Sequence, residues 1–294
     1  MTSPPTPPAG TVDSTPVAPI AVRDLVTRFG PQVVHNGLDL TVRRGEVLGV
    51  VGGSGTGKSV LLKEIISLIR PAAGTVRLLG TDMHRAERKE REAALRRTGV
   101  LFQDGALFSS LTVAQNIQVP LREYTDLPPS LIDEVTRVKI AMVGLPAFAC
   151  SKLPSELSGG MRKRAGLARA LALDPEVVFL DEPTAGLDPI GASKFDQLIL
   201  DLSRSLKLTV FMVTHDLDSL GTICDRIAVL IDKKIIVDTM DSLMAYDHPW
   251  IRDYFHGPRA RAALTSIDRA KAMGHGVPST DAKTRQPMTM AVGD

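Results

Sequence analysis

Cys150 and Cys224 are the only cysteines among 294 residues. Two thiols in a chain this size argue against a disulfide framework and fit a reducing compartment. Long hydrophobic runs are also missing: no apolar stretch approaches the roughly 20 residues that span a bilayer. No basic segment followed by an apolar core opens the chain, so no secretory signal is expected. Charge of one sign is lacking too. Lys plus Arg total 35 and Asp plus Glu 33, a formal net charge of +2. So slight an excess argues against a strong electrostatic nucleic-acid binder, and no nucleic-acid partner is expected. Hydrophobic residues make up 44 %, which supports a proper core in one large or two small domains.

What is present begins with Gly52-Gly53-Ser54-Gly55-Thr56-Gly57-Lys58-Ser59. Gly52, Gly57, Lys58 and Ser59 match the phosphate-loop pattern G-x-x-x-x-G-K-[ST]. The run Val47–Val51 before it suits a buried parallel strand. The segment Val60–Ile69 after it suits a helix, with Pro71 just past its end. Glycines let several backbone N–H groups turn toward one anion, and the helix N-terminus adds partial positive charge there. In such a loop Lys58 reaches the β- and γ-phosphates, and the Ser59 hydroxyl binds Mg²⁺.

A second apolar run, Val177–Leu180, ends in Asp181-Glu182-Pro183. Both acids then stand at the carboxyl end of a strand, where ligands bind in open α/β sheets. Asp181 is placed to hold Mg²⁺, directly or through water. Glu182 is placed to accept a proton from the attacking water. A third run, Thr209–Val213, leads to Thr214-His215-Asp216, which brings His215 near the γ-phosphate. Gln103 follows Leu101-Phe102 and carries no specificity alone. Ser158 reads as the N-cap of an Ala-, Leu- and Arg-rich helix that ends before Asp174-Pro175. The following Gly159 and Gly160 leave a second helix N-terminus open to an anion. One nucleotide does not need two such sites: one explanation is that the second serves a nucleotide held by another subunit, the alternative being a capped helix with a solvated basic face.

The set GGSGTGKS, Gln103, LSGGM, VVFLDEP, Ala185-Gly186-Leu187-Asp188 and His215 resembles the nucleotide-binding subunit of an ABC transporter, over about residues 20–257. The resemblance implies an α/β fold: a P-loop ABC ATPase cassette, RecA-like with a β subdomain, plus an inserted helical subdomain over about 104–170. It implies ATP and Mg²⁺ as cofactors. Phe29, beside Gly30, stands where the family places an aromatic that stacks on adenine. Gln103 is implied to touch Mg²⁺ or the attacking water, Ser158, Gly159 and Gly160 the γ-phosphate of the opposite subunit, and Asp188 the dimer contact. Met161 departs from the family's usual Gln. LSGGM, together with Gly105-Ala106-Leu107-Phe108, is similar to one branch, the ATPases of Mla-type phospholipid transporters. That branch implies a second copy of the chain, a membrane permease, an MCE-type lipid-binding protein and, in some members, a small STAS-domain subunit. It also implies a peripheral place on the cytoplasmic face of the inner membrane.

Residues 1–19, rich in Pro, Thr and Ser, read as a disordered tail. Residues 258–294 read as a largely disordered extension, with a helix over 259–272 as the alternative. A helix is expected from an N-cap at Ser130 to Gly144. Arg85–Arg97 reads as an exposed helix, and Arg162-Lys163-Arg164 as a solvated helix face. Three other functions stay open. The cargo could be an amino acid, metal or drug, since this subunit does not contact cargo. A non-transport switch is disfavoured because the chain carries one cassette and no long heptad insertion. A pseudo-ATPase is disfavoured by the intact Lys58, Asp181, Glu182 and His215.

Overall fold

A computed structural model describes residues 17–257. Residues 1–16 and 258–294, which carry most of the expected tail and the whole expected extension, lie outside the described residues.

Strands β1 (Ile20–Phe29) and β2 (Gln32–Val42) pair as an antiparallel hairpin. Their turn uses Gly30 at φ 57°, a left-handed geometry that costs glycine nothing. The chain then enters a second sheet at β3 (Val47–Gly52) and continues into α1 (Lys58–Ile65). It returns to the first sheet with β4 (Ala73–Leu78) and the short β5 (Thr81–Asp82). The first sheet has the order β2-β1-β4-β5 and is antiparallel throughout.

Helix α2 (Arg88–Arg96) precedes β6 (Thr98–Leu101), the far edge of the second sheet. Three helices follow before the next strand: α3 (Val113–Tyr124), α4 (Pro129–Met142) and α5 (Gly159–Ala170). They form a helical layer on one side of the sheet. Then come β7 (Val177–Asp181), α6 (Pro189–Leu206), β8 (Thr209–Val213), α7 (Leu217–Ile223) and β9 (Arg226–Ile231). Strand β10 (Lys234–Asp238) and helices α8 (Met240–Met244) and α9 (Pro249–His256) finish the described chain.

The second sheet has the order β10-β9-β3-β8-β7-β6. Strands β9, β3, β8, β7 and β6 run parallel, with β10 antiparallel on the edge. Every residue of β8 and the first four of β7 are buried, as expected for parallel strands covered on both faces. One core lies between the two sheets around Leu48, Leu62, Phe179 and Phe211. A second joins the helical layer to the parallel sheet through Ile117, Ile140, Leu167, Val178 and Phe195.

Local differences from the sequence reading have physical causes. Helix α1 stops at Ile65, not Ile69, because Ser67 turns left-handed at φ 62° and Leu68 N–H folds back to the Lys63 carbonyl at 2.8 Å. Helix α4 is capped by Pro128 with Pro129 in its first turn, so Ser130 lies inside the helix. Proline suits that first turn because its missing N–H would have no partner there. The basic run 162–164 is solvated only in part: Arg162 is exposed, but Lys163 is buried, and the half-buried Arg164 donates from Nη1 to the Val143 carbonyl at 2.5 Å.

Candidate active site

The carboxyl ends of the parallel strands converge on one edge, and the site is built there. Strand β3 ends at Gly52, where the chain curls into the phosphate loop. Gly57 sits at φ 103° as the residue capping α1. A side chain at that position would run into the His35 ring, whose Nε2 would stand 2.5 Å from its Cβ. Only glycine meets both demands. The Lys58 ammonium folds back and donates to the Gly52 and Gly53 carbonyls at 2.8 and 3.0 Å. The loop therefore wraps a cation, at the N-terminus of a helix, with open space beside Gly55 where a Cβ would meet nothing within 4 Å. These are the demands of a polyphosphate.

Next to the loop, a cavity of about 380 Å³ is lined by Phe29, Gln32, Val34, Gly57, Lys58 and Ser59 among others. Phe29 is 47 % exposed at the end of β1, so it is a surface aromatic at this cavity and not a core residue. A flat apolar ring on the loop's flank suits a purine base.

From the opposite side, β7 delivers Asp181 and Glu182. The Ser59 hydroxyl donates to Asp181 Oδ1 at 3.3 Å. Two hard oxygens at that separation fit Mg²⁺, which takes few protein ligands and completes its shell with phosphate and water. Burial pushes the Asp181 carboxyl upward, opposed by the Ser59 hydroxyl, while the Glu182 charge adds to the rise. Burial pulls the Lys58 ammonium down, opposed by Glu182 and Asp181. The charges of this site compensate one another across the loop.

Glu182 itself sits at φ 50°, a left-handed conformation uncommon for a side-chain-bearing residue. Its N–H donates to the Val213 carbonyl at 2.8 Å, which ties the turn to the end of β8. His215, two residues beyond β8, brings Nδ1 to 2.7 Å from Glu182 Oε2. The Glu182 side chain is 17 % exposed and the His215 side chain 72 %. The imidazole therefore faces solvent, while the carboxylate beneath it is mostly covered.

The phosphate loop, Asp181, Glu182 and His215 are thus brought together. Gln103 is exposed, and its carbonyl accepts from the Lys163 ammonium at 3.0 Å. Ser158, Gly159 and Asp188 lie exposed on the surface, with Gly160 half-buried. Ser158 does cap α5, its hydroxyl accepting from Met161 N–H at 3.3 Å. Asp188 caps α6 through Gly191 N–H at 2.9 Å. Leu187 reaches both glycines of the second motif, within 4.0 Å of where their Cβ atoms would stand. Two contacts were not foreseen. Lys163 also donates to the Glu182 carbonyl at 2.8 Å. From α9, the Tyr254 hydroxyl donates to the His215 carbonyl at 3.2 Å. The helical spacing of Lys163 with Gly166, Leu167 and Ala170, all but the lysine small or apolar, is the signal that places it on the buried face. No sequence signal links Tyr254 to His215.

Comparison with known proteins agrees with this geometry. The sequence profile of the ABC transporter family matches residues 35–185. The chain is 41 % identical over 241 residues to the "Probable ribonucleotide transport ATP-binding protein mkl" of Mycobacterium tuberculosis, covering 82 % of this chain and 67 % of that protein. It is 37 % identical over 239 residues to the "Intermembrane phospholipid transport system ATP-binding protein MlaF" of Escherichia coli K12, covering 81 % and 88 %. Among solved structures, the dimeric bacterial ABC transporter cassette MJ0796 superposes with a TM-score of 0.69 at 27 % identity, over 75 % of this chain and 98 % of that one. The cassette cbiO1 of Clostridium perfringens gives 0.70 at 27 % identity, over 85 % and 99 %. A phosphate loop, a paired carboxylate edge and these relatives converge on one answer: the chain belongs to the ABC transporter family, as an ATP-hydrolysing subunit.

Proposed function

We propose that this ATPase powers phospholipid transport, working as a pair of identical chains beneath a membrane permease. The cargo reading rests on the likeness to the intermembrane phospholipid transport relative, and the hydrolytic reading on the Glu182–His215 pair, held at 2.7 Å on the strand edge beside Lys58, Ser59 and Asp181. Glu182 accepts the proton of the attacking water, and its imidazole partner fixes the carboxylate. Lys58 and the loop N–H groups bind phosphate oxygens, and Phe29 stacks on the adenine. Ser59, Asp181 and Gln103 would hold a Mg²⁺, which would supply positive charge against the phosphates. Glu182→Gln keeps the shape and removes the base. Steady-state ATPase should collapse while ATP binding persists, and normal turnover in that variant rejects Glu182 as base.

Surface features support the partners. Ser158, Gly159 and Gly160 present an open helix N-terminus, and Asp188 stands exposed nearby. We assign this face to the nucleotide of a second copy. The dimeric cassette that superposes on the chain favours the same arrangement. A groove of about 350 Å³ lies between α2 and α3, lined by Leu95, Arg96, Phe108, Pro120 and Tyr124 among others. The Arg96 guanidinium stands 4.9 Å over the Tyr124 ring, and Phe108 is 52 % exposed. A largely apolar groove whose charged lining is of both signs, Arg96 and Arg169 against Glu92 and Glu123, fits a cytoplasmic segment of the permease. No helix among the described residues is long and apolar enough to cross a membrane, so this groove would hold the chain peripherally on the cytoplasmic face. An MCE-type protein completes the proposed complex, joined in some members of the branch by a small STAS-domain subunit.

A second cargo has one observation in its favour: the Mycobacterium relative is named for ribonucleotide transport. The protein purified with its permease from detergent-solubilised membranes decides between them. Bound phospholipid supports the first reading, and bound nucleotide cargo at the permease supports the second.

A further inference from the structure

Lys163 is a buried cation with no part in the chemistry above. It is 6 % exposed within α5. A buried ammonium is costly unless its protons are accepted. Here the acceptors are two backbone carbonyls, Gln103 at 3.0 Å and Glu182 at 2.8 Å. Those carbonyls belong to two separate loops, one after β6 and one after β7. Both loops carry residues assigned to the hydrolytic site.

The same helix grips the Gln103 loop elsewhere. Arg169 donates to the Ala106 and Gly105 carbonyls at 2.7 and 3.0 Å. A Cβ at Gly166 would stand 2.7 Å from Leu101 Cδ1 and 3.1 Å from Gly105 Cα. Helix and loop are therefore fastened together by hydrogen bonds and close packing. Glu182 has no comparable hold on α5. Its carbonyl leaves the strand direction at φ 50° and is reached from α5 by Lys163. The lysine is the strut that joins the glutamate's turn to the helix whose first turn is capped by Ser158. Burial lowers its basicity, while Asp104, Glu182 and Asp181 raise it, so the surrounding acids favour the charged form.

We propose that Lys163 is a positioning residue that couples the Ser158 end of α5 to Gln103 and Glu182 within the same chain. A nucleotide of the second copy that draws on Ser158 would thereby set the placement of this chain's own base. The inference rests on the assignment of Glu182 and Gln103 to the hydrolytic site.

The test uses the full chain and compares Lys163→Met, Lys163→Arg and Glu182→Gln. Methionine keeps length and removes both donors, and arginine keeps charge and donors. Lys163→Met should lower kcat about tenfold or more, the factor that ~1.4 kcal/mol of barrier represents, with the KM for ATP within about twofold of wild type. Lys163→Arg should recover kcat to within about threefold, about 0.6 kcal/mol. Wild-type kcat in Lys163→Met overturns the proposal. So does a parallel loss of kcat, ATP affinity and melting temperature that arginine does not rescue. If the methionine variant does not fold, Lys163→Gln, which reaches a single carbonyl, is judged by the same criteria. Full activity in Glu182→Gln defeats the site assignment itself. An inactive Glu182→Gln beside a fully active Lys163→Met defeats only the role of Lys163.

Discussion

Asp196 offers a quantitative check on the packing behind the active site. It lies on α6, 4 % exposed. Its Oδ2 accepts from the Ser219 hydroxyl at 2.7 Å, and that hydroxyl also lies 3.2 Å from Asp216 Oδ2. Oδ1 has no hydrogen-bond partner among the described residues. Burial pushes the carboxyl from 3.8 up to about 7; the Ser219 bond opposes the rise, and the Asp216 and Asp218 charges add to it. The folded chain therefore keeps a proton that the unfolded chain releases between pH 3.8 and about 7. Stability from this group is complete below that window and lost as pH rises through it. At about 1.36 kcal/mol per pH unit the whole window is worth about 4 kcal/mol. Asp196→Asn removes the titration while keeping an oxygen for Ser219. Its amide hydrogens then meet the unpartnered side, a cost of about 1–3 kcal/mol that does not depend on pH. The stability of the Asn variant minus that of wild type should therefore rise by about 2–3 kcal/mol from pH 5 to pH 8. In a domain of this size that is a relative gain of about 4–12 °C in melting temperature. Urea or thermal unfolding followed by circular dichroism at several pH values measures it. A difference that stays flat across the range, or runs the other way, refutes the reasoning.

Two further substitutions test how the elements are held together. Gly99→Ala places a methyl group against the Ala170 carbonyl, backbone to backbone, where β6 meets the end of α5. Forced separation there should cost about 1–3 kcal/mol, read as an earlier urea midpoint with unchanged slope. Tyr254→Phe deletes the hydroxyl that reaches the His215 carbonyl at 3.2 Å. With about 1 kcal/mol lost from a neutral hydrogen bond, ATPase turnover should fall about twofold to fivefold, whereas an unchanged kcat would show that α9 does not hold His215 in place.

Much of this fold was legible because parallel strands buried on both faces leave continuous apolar runs. Val47–Val51, Val177–Leu180 and Thr209–Val213 were readable for that reason, and they became β3, β7 and β8. The Ser158 cap was also legible, since capping is a matter of a few neighbouring residues. The end of α1 was not. Pro71 marks where a helix must have stopped, but Ser67 turned earlier because its hydroxyl finds the Met83 carbonyl at 3.0 Å, sixteen residues away. At α4 the local rule favoured serine as cap, and the Pro128-Pro129 pair fixed the entry two residues earlier. Lys163 shows the same limit in the site. Its charge suggested solvent, while its spacing with Leu167 and Ala170 pointed inward, and the carbonyls that accept its protons lie 60 and 19 residues away.

The left-handed turn at Glu182 has a genetic consequence. That backbone suits residues with unbranched or small side chains and penalises valine, which crowds a positive φ. A glutamate codon reaches glutamine, lysine, glycine, aspartate, alanine and valine by single-base changes. Glutamine among them keeps the shape of the turn, so a single-base route to an inert allele passes through a protein that still folds. Such alleles would be recessive only if the chain acted alone. In an assembly of two copies, a folded but inert product occupies seats beside the normal one, so one defective gene copy would trouble more complexes than its share of the transcripts.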